Sequence, residues 1–285
     1  MPAPQFFWMI FAALLFGVMG VCVKFAAARF GVLELVFYRS ALGCVFTLAI
    51  ARVWRKSLAT SNLRVHLWRG VAGFTALALF FYALPKLHIS TAMALLQTSP
   101  LFLAALAVLF LRERMSLPLA ASLFAGFFGM LLALRPGTGG EDILAGCAAA
   151  CAGAAAGCAY FNIRRLGLLN EGGVRTVFYF AAVSAVLSAV LLVFFGELSP
   201  INWTGAFWLL AVGATATAGQ FALTLGLHYG RAVAASGLMY AGIIFAGIFE
   251  YVIWGGAPDA AAWAGFLMIM AGGIGAAYYG GRRGG

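Results

Sequence analysis

Apolar residues occur in long unbroken runs that short polar segments separate. The runs predict ten helices, over residues 6–27, 32–53, 67–87, 88–111, 117–134, 143–163, 177–195, 203–228, 232–254 and 260–279. As a helix of about 1.5 Å rise per residue, the fourth run would cross a hydrocarbon core of about 30 Å with some tilt. Continuous rather than alternating apolar runs indicate membrane-spanning helices, because a helix satisfies its own backbone polar groups in lipid.

Two of the runs carry a backbone irregularity at mid-depth. Pro100 lies inside the fourth run, and a proline there removes a backbone hydrogen bond and frees carbonyl groups near Gln97. Gly242 takes the corresponding place in the ninth run when the two runs are aligned with each other. We predict that Pro100 and Gly242 are hinges; a kink that serves packing alone is the alternative for Pro100.

Composition and charge support a membrane protein. Hydrophobic residues make up 64% of the chain and charged residues 9%, against roughly 45–50% and 25% in soluble domains. The net charge of +10 could suggest nucleic-acid binding, but the basic residues cluster at the ends of the runs, mostly in alternate segments. This placement predicts a multi-pass inner-membrane protein with cytoplasmic N- and C-termini and no nucleic-acid partner.

The ten runs divide into two similar halves. A polar turn at residues 135–142 separates residues 1–135 from residues 143–285. Five runs per half is an odd number, so the second half would lie inverted relative to the first. The predicted fold is all-α integral membrane, with ten transmembrane helices as two inverted five-helix repeats around a central cavity, an architecture typical of secondary transporters.

Polar side chains within the runs are the candidates for a substrate site. Such side chains are costly in lipid and should face the bundle interior. We predict that six of them bind substrate: Tyr82, Gln97, Tyr160, Asn162, Gln220 and Tyr240. The alternative is that each one only bonds a neighbouring helix.

Four charged residues within or near the runs are candidates for charge recognition or ion coupling: Glu250, Arg39, Lys24 and Glu34. Glu250 could hold a cation, carry a coupling proton, or pair with Lys24 or Arg39. For Glu34 a structural pairing with Lys24 or Arg39 is slightly favoured. The alternative is that Arg39 or Lys24 receives a substrate carboxylate.

The sequence predicts no enzyme, no cofactor and no metal site. No P-loop, no HExxH and no clustered Ser, His and Asp are present. Cys147 and Cys151 share a helix face without a neighbouring His or acid, which favours packing over metal binding. Transport energy would therefore come from a coupling proton, an exchange substrate or the gradient of the substrate itself.

Several segments carry a family likeness, namely LELVFYRSALG (33–43), HLWRGVAGFTALALFFYALPKLHISTAMALLQTSPLF (66–102), FLRERMS (110–116) and AWAGFLMIMAGG (262–273). With them the chain resembles the EamA-type members of the drug/metabolite transporter superfamily. The resemblance implies ten helices in two inverted repeats, a central cavity, cytoplasmic termini and movement of small metabolites, often export. One departure is Gly256, which stands where the family carries an acid; Glu250 lies nearby instead.

These observations predict a secondary active transporter that exports a small metabolite, an amino-acid-like or amphipathic zwitterion, by alternating access. The first alternative is a transporter of a cationic metabolite or drug that uses Glu250 and aromatic side chains. Alternatives of other classes are a membrane enzyme acting on lipid head groups and a passive helical partner. A homodimer through the Gly-rich last run is also possible.

Overall fold

The computed structural model describes residues 3–99, 101–103, 105–106, 117–134, 142–196, 198–228, 237–255 and 259–280. Helices and short connections make up this part of the chain, which contains no β-strand. The α-helices are α1 (Ala3–Ala26), α2 (Val32–Val53), α3 (Leu63–Ala83), α4 (Ile89–Leu96), α5 (Leu117–Leu134), α6 (Ile143–Leu168), α7 (Gly173–Phe195), α8 (Trp203–His228), α9 (Ala241–Trp254) and α10 (Ala260–Gly280). A 3₁₀ turn, Gly237–Tyr240, leads into α9.

Six of these helices, α1 to α3 and α6 to α8, are long and apolar enough to cross a membrane. Helices α4, α5, α9 and α10 contribute shorter apolar segments within the described residues. The outward faces carry many exposed large apolar side chains, such as Val186 and Val193 on α7. The predicted all-helical, multi-pass membrane architecture is confirmed.

The closest helix pairs cross between the two halves of the chain. They are α5 with α10, α3 with α6, α1 with α8 and α2 with α7. If each helix of one half is replaced by the helix five positions away in the other half, the α3–α6 pair becomes the α8–α1 pair. The same four pairs result. Each half of the chain therefore supplies the main packing partners of the other half.

Helix α4 is interrupted just before Pro100, which itself lies outside the described residues. The Thr98 amide donates to the Leu95 carbonyl at 3.2 Å, three residues back rather than four. The Thr98 hydroxyl donates to the same carbonyl at 2.7 Å. Hydroxyl groups of this kind compete with the regular helix pattern, so Gln97 and Thr98 form an irregular segment in the middle of the fourth run.

A second irregular segment lies at the corresponding place in the other half. The 3₁₀ turn before α9 ends at Met239 and Tyr240. The alignment that places Pro100 on Gly242 also places Gln97 on Met239, so the two irregular segments coincide. In α9, a Cβ added to Gly242 would lie 3.1 Å from Cε of Met93; the role of this glycine as a hinge stays a prediction.

Two glycines of α6 allow the irregular part of the fourth run to approach closely. A Cβ on Gly153 would lie 2.7 Å from the Leu95 carbonyl oxygen, and a Cβ on Gly157 would lie 2.9 Å from that of Ser99. Real Cβ atoms do not approach that near. Small residues at helix interfaces let backbones meet in this way, so the backbone of α6 packs directly against the Leu95 and Ser99 carbonyls.

Candidate functional site

A cavity lies at the centre of the bundle, between the two halves of the chain. Its free volume is about 80 Å³, room for roughly five to eight water positions. Five polar side chains line it: Arg39, Arg69, Gln97, Tyr160 and Gln220. The other lining residues are apolar or small: Phe16, Met19, Gly73, Ala76, Leu77, Phe80, Met93, Leu96, Ala156, Ala159, Phe180 and Met239.

Two buried arginines dominate the electrostatics of this cavity. Arg39 on α2 is 4% exposed and Arg69 on α3 is 2% exposed. Their guanidinium carbons lie 4.8 Å and 4.0 Å from the centroid of the same Phe180 ring on α7. A guanidinium over an aromatic face gains a cation–π attraction, so Phe180 holds both positive charges at the cavity wall.

Only part of the hydrogen-bonding capacity of these arginines is used. Nη2 of Arg69 donates to Oε1 of Gln220 at 3.1 Å. Nε and Nη1 of Arg69, Nε of Arg39 and Nε2 of Gln97 are buried without a partner among the described residues. Gly73, one turn after Arg69, makes room for its guanidinium, because a Cβ there would overlap Nη1. The cavity wall therefore presents unsatisfied donors.

The structure brings together three of the six side chains predicted to bind substrate, Gln97, Tyr160 and Gln220. The other three lie elsewhere because helical register turns them away. The Tyr82 ring carries Nζ of Lys86 at 3.8 Å from its centroid, and Asn162 donates within its own helix to the Cys158 carbonyl at 3.0 Å. Tyr240 is buried, with its hydroxyl against α10.

Glu250 is the centre of a polar cluster at one end of the bundle, here called the Glu250 cluster. Nζ of Lys24 lies 3.0 Å from its Oε1 and Nδ1 of His88 lies 3.2 Å from the same oxygen. The Ser90 amide donates to Oε2 at 3.2 Å, and Lys24 also lies over the Trp254 ring. This cluster ties α1, the start of α4 and α9 together. Of the two ion-pair partners considered for Glu250, the structure has Lys24 and not Arg39.

Glu34 lies at the same end of the bundle, but its partners differ from those predicted. The expected pairing with Lys24 or Arg39 is wrong: Oε2 accepts from the Gly31 amide at 2.8 Å, and Oε1 accepts from the Ser199 amide at 2.6 Å. The physical reason is local, because a carboxylate in the first turn is attracted to the free amides and positive dipole end of its own helix. Lys24, meanwhile, is held by Glu250.

Glu171 is the centre of a second polar cluster, the Glu171 cluster, at the opposite end of the bundle. This carboxylate is 4% exposed and accepts from Thr60 Oγ1 at 2.6 Å and Asn62 Nδ2 at 2.9 Å. It also pairs with Arg175, and Nε2 of His66 lies 3.5 Å away. Burial raises the pKa of Glu171, but the hydrogen bonds and the Arg175 charge outweigh burial and lower the pKa to about 2.

Comparison with known proteins fits this arrangement of a membrane bundle around a polar cavity. Residues 4–135 match the EamA-like transporter family. Over these residues the chain is an EamA-type member of the drug/metabolite transporter superfamily. The family predicted from the sequence is thereby confirmed.

Relatives of this EamA-type chain extend over nearly its whole length. It is 29% identical over 261 residues to the pseudopaline exporter CntI of Pseudomonas aeruginosa strain UCBPP-PA14, covering 92% of this chain and 91% of that one. It is 25% identical over 264 residues to the S-adenosylmethionine uptake transporter of Rickettsia conorii, covering 92% and 88%. A crystal structure with 18% identity covers both chains fully at a TM-score of 0.72, which shows a shared fold.

Sequence reasoning misses the roles of two residues of this EamA-type chain. Arg69 is not among the side chains predicted to bind substrate, yet it lines the cavity. Its place near a helix start hides this role, because basic residues there usually set topology. Glu171 gives no signal beyond being an acid among segments rich in arginine. The described residues contain no group of three potential metal ligands.

Proposed function

We propose that this EamA-type chain is a secondary active transporter that moves a small metabolite by alternating access. The observation that carries the proposal is the central cavity, with its five polar side chains, between two polar clusters, one at each end of the bundle. An alternating-access carrier needs a central site with a separate closure on each side. The Glu250 cluster and the Glu171 cluster are the proposed closures.

The proposed moving parts are the two halves of the chain, residues 1–135 and 143–285, as inverted repeats. Two findings support this proposal: the helix pairing is unchanged when the halves are exchanged, and the aligned residues Gln97 and Met239 both line the cavity. The irregular segments at these residues would absorb the change in backbone angle. Pro100 and Gly242 lie beside them as the proposed hinges.

The proposed substrate is an amino-acid-like or amphipathic zwitterion. Guanidinium groups recognise carboxylates, and the apolar lining from Phe16, Met93 and Met239 suits a carbon skeleton. A cationic substrate held by Glu250 has less support, since Glu250 is engaged by Lys24 and does not line the cavity.

The proposed location is the inner membrane, with both termini in the cytoplasm, the Glu250 cluster outside and the Glu171 cluster inside. The distribution of basic residues supports this orientation. We propose export as the direction, in agreement with the name of the Pseudomonas relative; the Rickettsia relative is named for uptake. A proton or an exchanged solute would supply the energy.

Cysteine labelling in vesicles of known orientation tests the proposal. In a variant without native cysteines, Gln97→Cys should react with a membrane-impermeant thiol reagent. Adding Glu250→Gln should increase labelling from outside, because it weakens the outer closure. Adding Glu171→Gln should increase labelling from inside.

The matched control is Val186→Cys on the outward face of α7, where the native side chain is 63% exposed. It should stay unlabelled in all backgrounds if that face meets lipid. Alternating access would be refuted if Gln97→Cys stayed unlabelled from both sides in every background. It would also be refuted if both cluster variants raised labelling from the same side.

A further inference from the structure

Among the described residues, the two arginines of the central cavity have no acidic partner. We propose that the cavity is built for a small organic dianion, such as a dicarboxylate, whose two negative charges are held by Arg39 and Arg69. This inference rests on the proposed transport function and narrows its substrate class. An amino-acid-like substrate would fit this class only if it carried a second anionic group besides its α-carboxylate.

The carboxylates of the described residues bind partners outside the cavity. The three buried ones, Glu34, Glu171 and Glu250, have the partners given above and do not line the cavity. Asp142 caps the start of α6, and Asp259 caps the start of α10. Within the described residues, the cavity therefore contains two positive charges and no negative one.

Arginine does not release its proton in proteins, so these charges cannot be removed by deprotonation. A buried ion without a counterion is unfavourable, because cavity water and protein dipoles replace its bulk hydration only in part. Phe180 compensates both guanidinium groups only in part through its ring face. A ligand with two negative charges would neutralise the cavity, whereas a zwitterion with a single anionic group would leave the two positive charges of the cavity uncompensated.

The positions of the donors suit such a ligand. The guanidinium carbons of Arg39 and Arg69 lie 4.8 Å and 4.0 Å from the centroid of the Phe180 ring. The two carbons are therefore at most 8.8 Å apart, the sum of these distances. Two anionic groups on a short carbon skeleton could each meet one guanidinium fork. Nε2 of Gln97 adds an unpaired donor, and Gln220 fixes the orientation of Arg69.

Binding to the purified full chain tests the inference with succinate, monomethyl succinate and inorganic phosphate as probes. Wild-type protein should bind succinate more tightly than monomethyl succinate or alanine. Arg39→Gln should weaken succinate binding between about tenfold and 100-fold, the loss expected for one charged hydrogen-bonded contact. The dissociation constant of this variant for monomethyl succinate should stay within about threefold of the wild-type value, because one positive charge then meets one negative charge.

Arg64→Gln is the matched control, since Arg64 is an exposed arginine on the same helix as Arg69; it should leave succinate binding unchanged. Melting temperature separates ligand binding from structural pairing. Without ligand, the Arg39→Gln and Arg69→Gln proteins should have melting temperatures no lower than wild type, because each substitution removes a buried charge that has no counterion. If either protein unfolds, Arg39→Lys and Arg69→Lys keep the charge without the planar fork, and succinate binding should still weaken.

Binding of inorganic phosphate but not of succinate would overturn the organic ligand and leave a phosphate site in its place. The inference is refuted if neither dianion binds better than alanine. It is also refuted if the arginine variants bind succinate like wild type, or if both glutamine variants melt well below wild type while the lysine variants bind normally. Each of these results leaves the labelling test of alternating access unaffected, so the two proposals can fail separately.

Discussion

Lys24 and Glu250 should be strongly coupled as an ion pair. Removing Lys24 should therefore cost more stability than removing Glu250, and the two costs should not add. Glu250 is 2% exposed at its side chain, whereas Lys24 is 22% exposed. Removing one partner of a buried pair costs about 3–5 kcal/mol, largely because the other charge stays buried. Lys24→Met leaves the more deeply buried charge with only His88 and Ser90 beside it, so we expect a cost at the lower end of this range.

Glu250→Gln should cost less, about 2–3 kcal/mol. The remaining Lys24 ammonium is partly shielded by water, and a glutamine oxygen can still accept from the Ser90 amide, which now lies 3.2 Å from Oε2. The double variant should cost less than the two single costs together by about 2 kcal/mol, since neither charge is left unpaired. At roughly 2 °C per kcal/mol for a chain of this size, Glu250→Gln should lower the melting temperature by about 5 °C.

Thermal or denaturant unfolding in detergent micelles, applied to the four proteins of this cycle, measures the coupling. Lys86→Met is the matched control, because Lys86 lies 3.7 Å from Asp142 and both side chains are 40% exposed. It should leave the melting temperature close to that of wild type, as for other surface pairs. Additive costs within about 0.5 kcal/mol for Lys24→Met and Glu250→Gln would show that the pair is not coupled.

Three further predictions concern other parts of the bundle. Gly153→Ala should lower stability by about 1–2 kcal/mol through overpacking against the Leu95 carbonyl, while Gly173→Ala, with ordinary contacts at 3.6 Å, should not. Gly255 has φ of +66°, so Gly255→Ala should cost about 1–2 kcal/mol in unfolding experiments. Glu171 has its pKa lowered to about 2, so up to about 3 kcal/mol of stability, present above about pH 4.5, should be lost as pH falls toward 2; Glu171→Gln should abolish this dependence, and an unchanged acid profile would contradict it.

The helical membrane fold was predictable from the sequence because the pattern that specifies it is local. Each apolar run indicates a helix by itself, and the interruption near Gln97 follows from the proline and hydroxyl side chains around it. The place of Glu34 was also within reach of local reasoning. It stands three residues after Gly31, at the start of a helix, where a carboxylate finds free backbone amides.

The cavity was only partly predictable, because it depends on contacts between distant segments. Arg39 and Arg69 lie on different helices, and they meet only because α2 and α3 both pack against α7, which supplies Phe180. Nothing local distinguishes Arg69 from an arginine that sets topology. Likewise, Tyr240 and Asn162 are polar residues inside apolar runs, as Gln97 is, and only the rotation of each helix in the bundle decides which of them faces the cavity.

The packing of α6 against the interrupted fourth run has a consequence for biosynthesis. Helix α4 emerges from the ribosome before α6 exists, so the backbone groups near Leu95 and Ser99 that Gly153 and Gly157 later cover must first meet another environment. Helices α1 and α3 are likewise synthesised before α8 and α6, their main packing partners. Assembly in the membrane must therefore continue after the first five helices have been inserted, and a nascent chain stalled at this stage would be a natural substrate for membrane quality control.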